Sequence, residues 1–138
     1  MTEYYLDLTI DTEAVRQKLI AFIQDQSAEA EFERGVIGVS GGVDSALSCF
    51  LAAEALGPEN VLAVRMPYKT SSPESLEHAK QVIEQTGVQS LTVPISGMVD
   101  ALIEQFPDMG AIRRGNVMAR ARMIVLYDQS AAFDGLVV

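Results

Sequence analysis

The chain has 138 residues, of which 49% are apolar and 21% are charged, a size and composition typical of one globular domain. Its formal net charge of −9 argues against a broad nucleic-acid surface, because such surfaces need clustered lysine and arginine. A local pocket for a single nucleotide is compatible with this charge, since it requires only a few hydrogen-bond donors.

Sequence features that report on the compartment predict a cytoplasmic protein. The single cysteine, Cys49, excludes an intrachain disulfide. No run of 18 apolar residues is present, so we expect no membrane partner. The first residues, Met1 to Tyr5, lack the basic start and apolar run of a signal peptide.

The hydrophobic pattern predicts helices that alternate with short strands. The predicted helices cover residues 11–29, 43–55, 73–86, 95–106 and 115–132, and the predicted strands cover 34–40, 60–65, 90–93 and 136–138. This order predicts an α/β fold, an open parallel sheet with helices on both faces and strands that are apolar on both faces. Because the chain stops on a strand that a helix normally covers, we expect a single domain over 1–138 that is incomplete at its C-terminus.

The segment from Gly38 to Ser45 is the most informative part of the sequence, since it follows a strand and opens a helix. Ligands of open parallel sheets bind beyond the carboxyl ends of the strands. The first turn of a helix offers free N–H groups and the positive end of the helix dipole to an anion. Gly41 and Gly42 let the backbone approach phosphate oxygens, and Ser40 and Ser45 add hydroxyl groups.

Asp44 distinguishes this loop from the lysine-containing loop of kinases and GTPases, since no lysine follows the glycines. A carboxylate aimed at phosphates would repel them unless it held Mg²⁺, which bridges carboxylate and phosphate oxygens. The alternative is a purely structural glycine turn, in which Ser40 caps the helix and Asp44 favours its dipole.

Ser40-Gly41-Gly42-Val43-Asp44-Ser45 resembles the pyrophosphate loop of the N-type ATP pyrophosphatases, a superfamily that cleaves ATP between its α- and β-phosphates and adenylates a substrate. The resemblance implies that Asp44 is a catalytic residue that binds Mg²⁺. It also implies that ATP or pyrophosphate is bound by Gly38, Val39, Ser40, Gly41, Gly42, Val43, Asp44 and Ser45.

A basic stretch from Gly115 to Met123 indicates which family of that superfamily the chain resembles. Asn116 and Arg120 lie four residues apart and therefore share a helix face, with Asn116 expected at the start of the helix. The alternative is a solvated basic surface. The sequence motif Gly-Asn-x-x-Ala-Arg-x-Arg-Met is similar to that of the substrate-binding helix of the ammonia-dependent NAD synthetases. This resemblance implies that Asn116 and Arg120 bind deamido-NAD, and it assigns no ligand to Arg122.

Arg65-Met66-Pro67-Tyr68 also resembles that family, in which the arginine approaches bound ATP. The alternative is an arginine that closes a strand end. The following segment, 69–72, would be the loop over the nucleotide. We expect His78 on the surface, because it lies on the polar side of the predicted helix 73–86. We expect Cys49 in the core, because it lies at helical spacing from apolar residues.

The activity that the resemblance implies is the amidation of deamido-NAD. Mg·ATP adenylates the substrate, pyrophosphate is released, and ammonia displaces AMP to give NAD. Free ammonia is favoured because no glutaminase domain is present, and a homodimer is implied by the resemblance alone. The resemblance covers about 15–138 and half of the family's catalytic domain. Two alternatives are a truncated, non-catalytic nucleotide-binding module and another adenylating enzyme such as a tRNA thiolase.

Overall fold

The computed structural model describes residues 6–138, so the N-terminal pattern from Met1 to Tyr5 lies outside the described residues. Helices and short strands alternate along the chain, as the sequence predicts. In chain order they are α1 Thr12–Glu29, β1 Arg34–Gly38, α2 Val43–Leu56, a 3-10 turn Pro58–Asn60, β2 Val61–Arg65, α3 Pro73–Thr86, β3 Gln89–Thr92, α4 Ser96–Ile103, α5 Ala111–Phe133 and β4 Gly135–Val137.

The strands form one parallel sheet in the order β3-β2-β1-β4. Gly35 in β1 pairs with Val61 on one side and with Leu136 on the other, so β1 has a neighbour on both sides. The chain leaves β1 in one direction to build β2 and β3, then returns to the other side for β4. The carboxyl end of β1 therefore lies where the strand order reverses, which is the usual ligand position in such sheets.

Alternate residues of the strands feed two separate cores, one on each face of the sheet. On one face, Ile37 and Ala63 pack with α2 and α3. On the other face, Val36 and Val64 pack with α4 and α5. Each fully buried valine or isoleucine side chain contributes about 1.5–3 kcal/mol, so both layers of helices are held firmly. The prediction of a parallel sheet covered by helices on both faces is confirmed.

Local capping explains several helix boundaries that the sequence predicts correctly. The Asp11 side chain accepts a hydrogen bond from the Ala14 N–H at the start of α1. Ser72 caps α3 by accepting from the Ser75 N–H at 3.1 Å, and Pro73 occupies the first helical position. Gly87 ends α3 with a φ of 70°.

The start of α5 differs from the prediction. The helix begins at Ala111 rather than at Gly115, and its N-cap is Gly110. Asn116 therefore lies inside the helix and not beside its free N–H groups, so that part of the prediction is wrong. A glycine inside a helix costs about 1 kcal/mol, which the burial of Ala121 and Val125 on α5 outweighs.

Two other predicted boundaries shift slightly, and the exposure of β3 also differs from the prediction. The β1 strand ends at Gly38, although the Val39 N–H still donates to the Val64 carbonyl at 3.0 Å. The α4 helix ends at Ile103, before a turn in which the Phe106 N–H donates to the Ile103 carbonyl. The β3 strand is exposed at all four positions, because it lies at the sheet edge, so the expectation of two apolar faces is wrong there.

Between residues 6 and 138 there is no helix with both the length and the apolarity that crossing a membrane would require.

Candidate functional site

The loop after β1 is braced by its two serine hydroxyls. The Ser40 N–H donates to Ser45 Oγ at 3.1 Å, and Ser45 Oγ donates to the Gly42 carbonyl at 3.1 Å. The two hydroxyl oxygens lie 3.0 Å apart, and Ser40 Oγ also accepts from the Gly42 N–H. Because the Ser45 proton is directed at Gly42, Ser40 is the donor between the hydroxyls. The N-cap of α2 is Gly42 and not Ser40.

Gly41 is required by both its conformation and its surroundings. Its φ is +90°, a region that residues with a side chain rarely adopt. A Cβ atom at this position would overlap the backbone of Ser75 in α3. The loop is therefore packed directly onto α3, and glycine is the residue that permits this contact.

The N-terminus of α2 presents unpaired donors at this loop. Gly42 has no side chain with which to cap the helix, and the first-turn N–H groups of Val43, Asp44 and Ser45 have no intrahelical partner. Val43 and Asp44 are exposed to solvent. An anion placed at these N–H groups would accept their hydrogen bonds and would be stabilised by the positive end of the α2 dipole.

The Asp44 side chain fits the role of a magnesium ligand that is shared with a phosphate. It takes part in none of the four ion pairs found between residues 6 and 138. Over that same range, no three His, Cys, Asp or Glu residues cluster closely enough to hold a metal by themselves. Protein sites for Mg²⁺ often use one or two carboxylates and complete the shell with phosphate oxygens and water. A single exposed carboxylate beside the free N–H groups of α2 matches that pattern.

A cavity of about 300 Å³ opens beside this loop, at the carboxyl ends of β1 and β2. Its walls come from the loop, the β2 exit, α3 and α5, and they comprise Gly38, Val39, Ser40, Arg65, Met66, Pro67, Ser71, Ser75, Leu76, Ala79, Arg122 and Leu126. Arg65 Nε is buried without a hydrogen-bond partner in the described part of the chain. A buried donor of this kind indicates a missing acceptor, and a ligand in the cavity can supply one.

The structure thus brings Arg65 into one cavity with Gly38, Val39 and Ser40, whereas Gly41, Gly42 and Val43 line a different cavity and Asp44 and Ser45 line neither of these two. The cavity with Arg65 also contains Arg122, to which sequence reasoning assigned no ligand. Arg122 Nε donates to the Met66 carbonyl at 3.1 Å while the side chain lines the cavity. The helical spacing of the buried residues Ala121 and Val125 could have indicated that Arg122 faces the sheet.

The predicted substrate residues lie elsewhere on α5. Asn116 and Arg120 are exposed, share one helix face, and do not line the 300 Å³ cavity. Their role in substrate binding stays a prediction. His78 is exposed as expected and lines a different cavity, which it shares with Gly42 and Val43.

Comparison with known proteins agrees with this geometry. The family model described as NAD synthase matches residues 15–138. The chain belongs to the NAD synthase family. An NH(3)-dependent NAD(+) synthetase from Trichlorobacter lovleyi is 56% identical over 131 residues, covering 95% of this chain and 48% of the relative. One from Chlorobaculum parvum is 52% identical, covering 96% and 47%. The chain spans about half the length of these NAD synthase relatives.

Solved structures extend the NAD synthase similarity to the whole described fold. An NH3-dependent NAD synthetase from Campylobacter jejuni superposes with a TM-score of 0.87 at 35% identity, over 94% of this chain and 56% of that one. A glutamine-dependent NAD+ synthetase from Acinetobacter baumannii, solved with ADP, has a TM-score of 0.87 at 29% identity, over 98% and 26%. The family and fold that the loop and the basic stretch predicted are confirmed.

Proposed function

We propose that this chain provides the ATP-binding part of an NAD synthetase that amidates deamido-NAD with ammonia. The observation that carries the proposal is that the unpaired Arg65 Nε lies at the cavity lined by Ser40, and that the free N–H groups of α2 follow Ser40 in the same loop. Both need an acceptor, and ATP has phosphate oxygens for the helix terminus and acceptor atoms for a buried arginine. The match to the NAD synthase family over 15–138 supports this choice of ligand.

The proposed reaction has two steps. A carboxylate oxygen of deamido-NAD attacks the α-phosphorus of ATP, the bond to the β-phosphate oxygen breaks, and pyrophosphate leaves. Ammonia then attacks the adenylated carbonyl, loses a proton, and expels AMP to give NAD. Neither step needs a protein nucleophile, so catalysis rests on positioning and on neutralising phosphate charge.

The loop residues would perform that neutralisation. The N–H groups of Val43, Asp44 and Ser45 would donate to the pyrophosphate oxygens as the bond breaks, and Asp44 would hold Mg²⁺, which neutralises phosphate charge when bound. Arg65 would pair with an acceptor of ATP inside the cavity. The serine bracing described above keeps these donors fixed before the ligand arrives, which lowers the cost of ordering them.

The remaining partners belong to the same proposal. Asn116 and Arg120, on one exposed face of α5, would bind deamido-NAD. A homodimer is supported by the exposed apolar side chains on that helix, since Ile112 is 84% and Ile124 and Tyr127 are each 64% exposed. We further propose free ammonia as the nitrogen donor and the cytoplasm as the location.

The first experiment measures ATP binding to the 138-residue chain by calorimetry, with and without Mg²⁺. Asp44→Asn should remove the tightening that Mg²⁺ confers and should strengthen metal-free binding slightly, because a carboxylate without its metal repels phosphates. The matched control is Asp25→Asn, which removes the same charge from an exposed position on α1. A magnesium effect that survives in Asp44→Asn would overturn the role of Asp44.

The second experiment follows NAD formation from deamido-NAD, Mg·ATP and ammonium. Turnover that disappears in Asp44→Asn supports the synthetase. ATP binding without turnover favours the alternative of a nucleotide-binding module, which is motivated by the half-length coverage of the relatives. Absence of ATP binding would overturn both functions.

A further inference from the structure

A short segment, 67–72, separates two cavities. On one side, Pro67 and Ser71 line the 300 Å³ cavity beside the loop. On the other side, Tyr68, Lys69 and Thr70 line a second cavity of about 350 Å³ that is bounded by α4 and α5. The position of this segment therefore sets the shape of the candidate nucleotide cavity.

Asp100, on α4, fastens this segment from the side opposite to the candidate nucleotide cavity. The Tyr68 hydroxyl donates to Asp100 Oδ1 at 2.7 Å, and Lys69 Nζ donates to Asp100 Oδ2 at 2.9 Å. The Lys69 N–H also donates to Ser96 Oγ at the start of α4, at 2.9 Å. The Tyr68 hydroxyl and then Lys69 lower the pKa of Asp100 below its ordinary range, so the carboxylate stays charged at neutral pH.

A tight turn links Tyr68, which Asp100 holds, to Ser71 at the other side of the segment. The Ser71 N–H donates to the Tyr68 carbonyl at 2.8 Å, and the Tyr68 N–H donates to Ser71 Oγ at 3.0 Å. A movement of Tyr68 would therefore move Ser71, which faces the candidate nucleotide cavity together with Ser75. Asp100 does not itself line that cavity.

We propose that Asp100 is a positioning residue for nucleotide binding, which holds segment 67–72 in place as a wall of the cavity. The proposal rests on the proposed function, since it takes the cavity to be the ATP site. The direction of the change in ATP affinity distinguishes this positioning role from a simple charge effect. A carboxylate near bound phosphates repels them, so its removal should strengthen ATP binding if charge alone mattered. If the carboxylate acts by positioning, its removal should weaken ATP binding.

Glu104 offers a matched control for this test. It lines the same second cavity, yet it takes part in none of the ion pairs formed within residues 6–138. Asp100→Asn and Glu104→Gln each remove one negative charge from nearby positions. Tyr68→Phe is a third variant, which deletes one hydroxyl and leaves the Lys69–Asp100 pair in place.

The experiment measures the Kd for Mg·ATP of the full 138-residue chain and each variant by calorimetry. We expect Asp100→Asn to raise the Kd about tenfold and Tyr68→Phe about threefold, since each loses part of the network. Glu104→Gln should leave the Kd unchanged or slightly lower. A Kd for Asp100→Asn equal to or below that of Glu104→Gln would overturn the proposal.

A second readout uses trypsin cleavage after Lys69, which reports the release of the segment without any nucleotide. Asp100→Asn should be cut about ten times faster than the unaltered chain at an unchanged thermal midpoint, and Mg·ATP should protect it less. Faster cleavage that only accompanies a lowered midpoint would assign Asp100 to general stability and overturn the proposal. Failure of the unaltered chain to bind ATP would overturn the proposed function as well, whereas normal binding with an unaffected Asp100→Asn would overturn this inference alone.

Discussion

Gly41 lies against the backbone of Ser75, so that the loop after β1 and the first turn of α3 are in direct contact. The contact leaves no room for a side chain on Gly41, whose φ of +90° also excludes most other residues. Because Ser75 lines the same cavity as Ser40, this contact fixes the distance between two of its walls.

Replacement of Gly41 tests that contact. Gly41→Ala should lower the free energy of unfolding by about 2–4 kcal/mol and abolish ATP binding, since it combines an unfavourable φ with a backbone clash. Urea denaturation measures the first effect. The control is Gly97→Ala in α4, where an added Cβ meets no atom within 4 Å, and it should be neutral or stabilising by up to about 1 kcal/mol. Equal stability of the two variants would contradict the packing argument.

The serine bracing of the loop gives a second prediction. Ser45→Ala removes the acceptor for the Ser40 N–H and the donor to the Gly42 carbonyl. We expect a loss of about 1 kcal/mol in unfolding free energy and a weaker affinity for pyrophosphate, measured by calorimetry. Ser48→Ala, an exposed position on the same helix, should change neither quantity. If both variants bind pyrophosphate equally well, the bracing has no functional role.

Arg120 and Arg122, two of the four arginines on α5, should affect the binding of different ligands. Arg122→Gln removes a cation from the cavity wall and the hydrogen bond to the Met66 carbonyl, so the Kd for ATP should rise about tenfold. Arg120→Gln, two residues away on an exposed face, should leave the ATP Kd unchanged and weaken deamido-NAD binding instead. Calorimetry with each ligand in turn checks both variants. If Arg122→Gln weakened deamido-NAD binding and Arg120→Gln weakened ATP binding, the assignment of the substrate face of α5 would be wrong.

Cys49 makes stability depend on pH. Burial raises the pKa of its thiol above the ordinary value of 9.0, although a contact with Thr86 opposes this. The thiol of the unfolded chain loses its proton first, so its contribution is complete below pH 9 and decreases as pH rises further. The difference in unfolding free energy between the unaltered chain and Cys49→Ala should therefore narrow from pH 8 to pH 10.5. Urea denaturation at several pH values measures that difference, and a constant difference would contradict the prediction.

Local sequence features were sufficient to predict most of the fold. Caps such as Ser72 and the stop at Gly87 act within one helical turn, and strand–helix alternation determines the sheet type. The start of α5 was missed because Gly115 reads as a boundary, while the burial of Ala121 and Val125 overrides it. Helix propensity alone could not have shown that the burial of these side chains outweighs the cost of a glycine inside the helix.

The loop and Arg65 were the parts of the candidate site that could be predicted from the sequence. The loop donors and Asp44 are contiguous, so their arrangement follows from the strand–loop–helix order. Arg122 and Asp100 depend on tertiary contacts, since the Tyr68–Asp100 hydrogen bond joins residues 32 positions apart and the Arg122–Met66 bond joins residues 56 apart. No short motif records such pairings, which is why the sequence analysis assigned neither residue a role.

The pairing of β4 with β1 has a consequence for the order of folding. Arg34 bonds to the Phe133 carbonyl across 99 positions, whereas β1, β2 and β3 follow one another in sequence and in the sheet. Closing so long a loop carries the larger entropic cost, so we expect β4 and α5 to dock after the three-stranded unit has formed. Since α5 carries Arg122 and Leu126, a folding intermediate without it would have the loop after β1 but an open cavity. Nucleotide would then bind only the completed state and would slow unfolding without speeding the first stage of folding.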